Sequence, residues 1–543
     1  FPSARKNVQQ NSSAALEERD QEQARPPTPR RPADLERARP YAEIPGPRAL
    51  PVLGNTWRLL PLVGQYDVSD VARLSSLFYA EYGKIVKLSG LIGRPDLLFV
   101  YDADEIEKIY RREGPTPFRP SMPCLVKYKS DVRRDFFGRL AGVVGVNYHL
   151  PCYPTRTDKH GEPWRTFRTK VQKPILQLRT VKKYVEPIET VTKDFIDRML
   201  EMKDERDEMP GDFDNEIHKW SLECIGRVSL DVRLGCLDPN LTPDSEPQKI
   251  IDAAKYALRN IAILELRFPF WRYFPTTIWT GYVKNMDYFV EICMKHIDAA
   301  MERLKTKTVV DERELSLVER ILASEPNPKT AYILALDLIL VGIDTVLVFL
   351  FTQISMAVCS ILYQLATRPE QQDKLYEELK RVLPDPNEPL DSKKLDKMLF
   401  LKAFVKEVFR VYSTVIGNGR TLQEDTVILG YKVPKGVQVV FPTLVTGSMG
   451  EYVSEPEKFI PERWMKSECE KYRMHPFASL PYGHGARMCL GRRFADLEIQ
   501  VLLAKVRNGS YKLEYHHDPL EYKVTFMYAP DGQLKFKLVK REE

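Results

Sequence analysis

The residue of this 543-residue chain best placed to do chemistry is a single cysteine within Phe477 to Gln500, which reads FASLPYGHGARMCLGRRFADLEIQ. Cys489 follows a bend whose two glycines, Gly483 and Gly485, suit a turn too tight for a side chain. It precedes an amphipathic run from Arg493 that predicts a long helix. The unpaired N–H groups and the dipole at a helix start favour a thiolate, and Gly491 leaves room for a large group to lie against the backbone. A thiolate so placed is an axial ligand for haem iron, where its electron donation promotes O–O cleavage. For a lone cysteine, a buried structural thiol would be the better reading.

The spacing Gly485-x-Arg487-x-Cys489-x-Gly491 decides between the two, because it resembles the haem-binding signature of the cytochrome P450 superfamily. One departure is Tyr482, where the family usually has Phe; the aromatic face over the sulfur is kept and a hydroxyl is added. The resemblance implies a mainly α fold with a smaller β region in a single large domain, and heme b with Cys489 as its metal ligand. It extends to other motifs. Trp164 and Arg168, four apart on one helical face, are similar to the family's WxxxR element, whose Trp and Arg hold a haem propionate; Arg420 is similar to a further propionate partner. Glu407 and Arg410, with Arg463 in FIPERW, resemble its buried Glu-Arg-Arg network, an arrangement that is expensive unless complete. Gly342-Ile343-Asp344-Thr345 resembles its oxygen-activating motif, in which the acid and hydroxyl side chains deliver protons; Val341 departs from the usual Ala or Gly.

The elements that must position these residues are legible in outline. No Pro/Gly/Ser linker interrupts the chain after residue 50, so one domain over 42–543 is expected despite the length. Residues 1–41 are rich in Arg, Pro, Gln and Glu and are expected to be disordered. Their arginines fit a transit-peptide remnant loosely, since Glu17, Glu18 and Asp20 are out of character. The chain opens on Phe1 and shows no N-terminal apolar run of anchor length, which argues against the endoplasmic-reticulum form of the family. Hydrophobic content of 43% and charged content of 29% are ordinary for a globular enzyme, and a net charge of +6 does not imply nucleic acid. Eight cysteines without a CxxC pair suit a reducing compartment. Short strands are expected at Ile85–Leu88 and Leu97–Tyr101, a helix from Ala103 to Arg112, helices across 184–236, and a closing hairpin in which Val524/Phe526/Tyr528 and Leu534/Phe536/Leu538 alternate around Pro530-Asp531-Gly532. The aromatic and basic run Arg267 to Tyr282 suits a membrane interface and a packed core about equally.

Two stretches depart from the family. Asn147 to Lys159, dense in Pro and turn formers, reads as an insertion, and His149 and Cys152 within it are given no role. Thr345 to Thr367 holds 23 uncharged residues and would score as a membrane span, but Asp337 and Asp344 share its helical pattern. Within it, excising Val346 to Gln353 (VLVFLFTQ) restores the family's spacing from Asp344 to Tyr363. Eight residues turn a helix by about 80° beyond two whole turns, so an unbroken helix containing them misaligns its halves. The segment reads as a product of mis-splicing.

Lys402 and Lys406, four apart on the Glu407 helix, and Arg492-Arg493 after the cysteine loop read as solvated charge, yet they match the positions with which mitochondrial members dock an acidic ferredoxin. The resemblance is to the mitochondrial clan, insect members in particular, over roughly 42–543. It implies a monooxygenase that inserts one oxygen atom of O2 into a small apolar, sterol-like or lipid-like substrate. Electrons would come from NADPH through a ferredoxin reductase and an adrenodoxin-like ferredoxin, on the matrix side of the mitochondrial inner membrane with peripheral contact. Two alternatives stand beside it: a haem-thiolate isomerase, and a haem-binding relic impaired by its insertions.

Overall fold

The computed structural model describes residues 32–541, apart from 52, 61–63, 68–69, 93–94, 120–122, 138–160, 267–269, 307–314, 325–328, 335–349, 386, 469, 509–510 and 525–526. Helices dominate, and their starts arise from local chemistry. Asp102 caps Ala103–Arg112 by accepting the Glu105 N–H at 3.0 Å, with acids in the first turn and Arg111 and Arg112 in the last, as the helix dipole favours. Asp70 does the same for Val71–Tyr82, accepting from Arg73. The helix Leu399–Val411 is capped from outside: the Phe400 and Leu401 N–H groups donate to the two oxygens of Glu378, at 2.7 and 2.9 Å, from the neighbouring helix Pro369–Val382.

A four-stranded sheet lies to one side, in the order Ile85–Leu88, Leu97–Val100, Gln438–Phe441, Asn418–Thr421. The outer pairs are antiparallel, with Ile85 opposite Val100 and Arg420 opposite Val439, and the central pair is parallel, with Leu97 opposite Gln438. The main apolar core runs through the helices; Phe195, Trp220, Tyr282 and Phe404 are all fully buried in it. Helices Val185–Met202 and Phe213–Ile225 are joined there by a bond from the Trp220 indole to Thr192, and Ser355 of helix Leu350–Ala366 pairs with His218.

The strands at 85–88 and 97–100 and the helix at 103–112 stand where the sequence places them. The closing hairpin does not. Glu521–Val524 pairs with Tyr528–Asp531, Tyr522 opposite Pro530, while Lys537–Lys540 pairs with Tyr511–Glu514. The turn therefore precedes Pro530, which has no N–H to give a ladder and sits in a strand with one open edge, where a proline is tolerated. Within the stretch expected to be disordered, residues 32–41 take part in the fold: Pro32–Arg37 is helical, and Arg39 bridges to Tyr431 with its guanidinium 3.8 Å from the ring centroid.

The described part of the 267–282 run divides between buried and exposed aromatics. Trp271 stacks on Trp279 at 5.0 Å and Tyr282 is fully buried, whereas Phe270, Tyr273 and Phe274 stand 57%, 64% and 66% exposed. No helix of the described residues is long and apolar enough to cross a membrane.

Candidate active site

The cysteine loop is shaped by its glycines and tied to itself. Gly483 and Gly485 have φ of +69° and +74°, which side chains rarely adopt, and the Cys489 N–H donates to the Tyr482 carbonyl at 2.9 Å. Gly491 then heads the helix Arg492–Asn508 by accepting the Phe494 and Ala495 N–H groups, and its own N–H faces the Cys489 sulfur. The helix start was expected to favour a thiolate. Burial outweighs it: the Cys489 thiol is pushed up, against the opposing pull of the Gly491 N–H and the Arg168 and Arg119 guanidiniums. A metal ion at the sulfur reverses that balance, because a coordinated thiol is deprotonated outright.

The Glu162–Leu176 helix, with Pro163 in its first turn, brings the other expected residues to this loop. Trp164 is buried with the Arg487 guanidinium 3.5 Å from its ring centroid, and Arg168 donates to the Met488 carbonyl at 2.6 Å. Burial lowers the Arg168 guanidinium to about 10. Arg487 also donates to the Pro117 carbonyl at 3.0 Å. Arg420, presented by its strand, donates to the His484 carbonyl at 3.1 Å and pairs with Glu113.

Glu113 is the residue that sequence reasoning missed. Its buried carboxyl is raised by burial and held down by Arg420, Arg487 and Arg119. The available signal was faint: an acid at the C-terminal end of a helix, where a cation is usual. Ile354, Ala357, Phe409, Tyr482 and Ile499 line a largely apolar cavity with Cys489, which Ser413, Thr414, Asn418 and Arg119 reach as well. One soft ligand, apolar walls and guanidinium forks fit a flat apolar cofactor bearing carboxylates, as haem does.

The buried network assembles in full. Arg410 makes a two-pronged pair with Glu407, at 2.8 and 3.0 Å, and Arg463 adds a bond at 3.1 Å; none of the three side chains meets solvent. The remaining protons go to carbonyls of Gly447, Pro456 and Lys458 from Arg410, and of Ser454 and Glu455 from Arg463. Two further donors complete Glu407, the Trp464 indole at 2.9 Å and the Ile460 N–H at 2.9 Å. On the surface beyond, Lys406 lies 5.7 Å from the Trp464 ring and Lys402 is half-buried, while Arg492 and Arg493 open the helix after the loop. Asp344 and Thr345 lie outside the described residues, as do 147–159 and 346–349.

A family model described as "Cytochrome P450" matches residues 154–520. Among similar proteins of Drosophila melanogaster, "Probable cytochrome P450 301a1, mitochondrial" is 63% identical over 96% of this chain and 91% of its own length. "Probable cytochrome P450 49a1" is 45% identical over 93% and 84%, and "Probable cytochrome P450 12a5, mitochondrial" is 30% identical over 92% and 91%.

Proposed function

The chain belongs to the cytochrome P450 family as a haem-thiolate monooxygenase of its insect mitochondrial branch, and on that premise we propose that Cys489 is the axial ligand and that electrons arrive from NADPH through a ferredoxin reductase and an acidic ferredoxin. The observation that carries the reading is convergence: the Trp164 stack on Arg487 and the Arg168 bond to Met488 fasten one helix to the loop that presents Cys489.

Haem, when bound, supplies the activation of O2 and the insertion of one oxygen atom into an apolar, sterol-like or lipid-like substrate. The chain does the rest. The Gly491 N–H supports charge at sulfur. Trp164, Arg168, Arg420 and Arg487 hold the cofactor's carboxylates, and Phe409, Ile354 and Ala357 keep water from the cavity. Asp344 and Thr345 move protons to the reacting oxygen. Phe270, Tyr273 and Phe274 rest on the matrix face of the mitochondrial inner membrane, with Arg272 beside them for its anionic lipids.

The test is spectral and kinetic. Reduced protein under carbon monoxide should show the red-shifted Soret band of thiolate ligation, and a ferredoxin and its reductase should drive substrate oxidation; a haem-loaded protein that turns nothing over would be a relic. Reversing charge at Lys402 and Lys406 should lower ferredoxin-driven turnover on the order of tenfold at low salt, because complementary charge steers encounter. Peroxide-driven turnover should hold. Equal losses in the two assays would mean a folding defect rather than a docking face.

A further inference from the structure

We propose that the hydrogen bond from the Tyr482 hydroxyl to Asp496 reports the redox state of the group held by Cys489 to the basic face at Lys402, Lys406 and Arg492, so that an acidic partner binds the oxidised protein more tightly than the reduced. This rests on reading that face as the docking surface.

Tyr482 touches both ends of the path. Its carbonyl accepts the Cys489 N–H at 2.9 Å, its ring meets Phe409 edge-on with centroids 5.9 Å apart, and its hydroxyl donates to Asp496 Oδ1 at 2.7 Å. A phenylalanine could make the first two contacts but not the third. Asp496 is half-buried in the second turn of the helix after the loop. Burial pushes its carboxyl up, and the Tyr482 hydroxyl, Lys406, Arg492 and Lys402 hold it down. Asp496 lies one helical turn after Arg492 and is bonded to the residue whose carbonyl takes the Cys489 N–H; Lys402 and Lys406 belong to the helix Leu399–Val411 that packs beside it.

The coupled event is a one-electron transfer. The reduced partner loses one electron and the haem iron gains it, with no proton or bond exchanged at this step. The added electron raises the negative charge on the thiolate side, which works against the Asp496 carboxylate. Asp496 then draws more heavily on Lys402, Lys406 and Arg492 for compensation, leaving less of their charge for the partner's acids. Linkage makes the effect reciprocal: a partner that prefers the oxidised form is released once it has delivered its electron.

The experiment uses the haem-loaded full chain and a redox-silent, gallium-substituted acidic ferredoxin as probe. Its Kd is measured for the ferric protein and for the ferrous carbon monoxide form. The wild type should bind the probe about fivefold more tightly when ferric, at the lower end of couplings between sites. In Asp496→Asn, which removes the charge, and in Tyr482→Phe, which keeps the ring but removes the hydroxyl bond that ties Asp496 to the cysteine loop, the ratio should fall below about twofold. The carbon monoxide band of each variant reports whether the ligand loop is intact. A wild-type ratio near one, or an undiminished ratio in both variants, overturns the proposal. If Lys402→Glu with Lys406→Glu leaves the ferric Kd unchanged, it is the docking reading that has failed, and the coupling falls with it.

Discussion

Replacing Cys489 with alanine should abolish the red-shifted Soret band of the reduced, carbon monoxide-bound protein and bring monooxygenase turnover to background. Among the described residues that line the cavity no other thiol stands beside Cys489: its neighbours are apolar side chains such as Ile354, Ala357, Phe409 and Ile499, the hydroxyls of Ser413, Thr414 and Tyr482, Asn418, and a guanidinium, Arg119, that does not coordinate metals. The fold itself should survive, since removal of one sulfur from a half-buried position is worth about 1 kcal/mol and the loop keeps its glycines and its backbone bond to Tyr482. Far-ultraviolet circular dichroism should therefore match the wild type. Any haem that remains would be held by Trp164, Arg168, Arg420 and Arg487 alone, with the spectrum of another ligand. An alanine variant that keeps the thiolate band would show that a different cysteine binds the iron.

Deleting Val346 to Gln353 should raise haem occupancy, thermal midpoint and the coupling of NADPH use to product. The segment is strongly apolar, and exposing its large side chains costs roughly 1.5–3 kcal/mol each. Keeping it helical rotates the two flanking stretches by about 80° relative to each other. Either outcome removes several kcal/mol from a stability of about 5–15. The C-terminal flank is well placed as it stands: the helix Leu350–Ala366 presents Ile354 and Ala357 to the Cys489 cavity and is joined to the core through Ser355. The residue just before Ile354 lies four before Ala357, on the same row of that helix. In the present chain that residue is Gln353; after the deletion it is Thr345, one helical turn before Ala357 of the cavity. A deletion variant that melts lower than the chain as written would mean the segment belongs to the native fold.

The features legible in the sequence share one property. The cysteine loop, the Trp164–Arg168 pair and the Glu407–Arg410 pair are each set by residues within a few positions of one another, where bond geometry alone fixes who faces whom. The illegible ones depend on long-range packing. Glu113 meets Arg420 across three hundred residues of chain, and no spacing announces it. The hydroxyl of Tyr482 was visible as an addition, but its partner on the next helix was not. Trp464 could be read in its motif, yet its bond to Glu407 depends on where a loop returns. The closing strands were found with the wrong mates, because alternation marks a strand without naming the one it pairs with.

The parallel pairing of Leu97–Val100 with Gln438–Phe441 also dictates the order in which this protein can be assembled. Those strands are separated by most of the chain, so the sheet cannot close until the segment through residue 441 has been synthesised and set free. Closing so long a loop is slow, since its entropy must be lost before the pairing rewards it. Until then Leu98, Phe99 and Val100, all buried in the finished sheet, have an open edge and invite association with other chains. Arg420 sits on the strand beside that late partner, and the loop bearing Cys489 comes later still. Cofactor capture thus cannot begin before the chain through Cys489 is free, and a chain ended short of it has most of its helices but no thiol at this loop to hold haem.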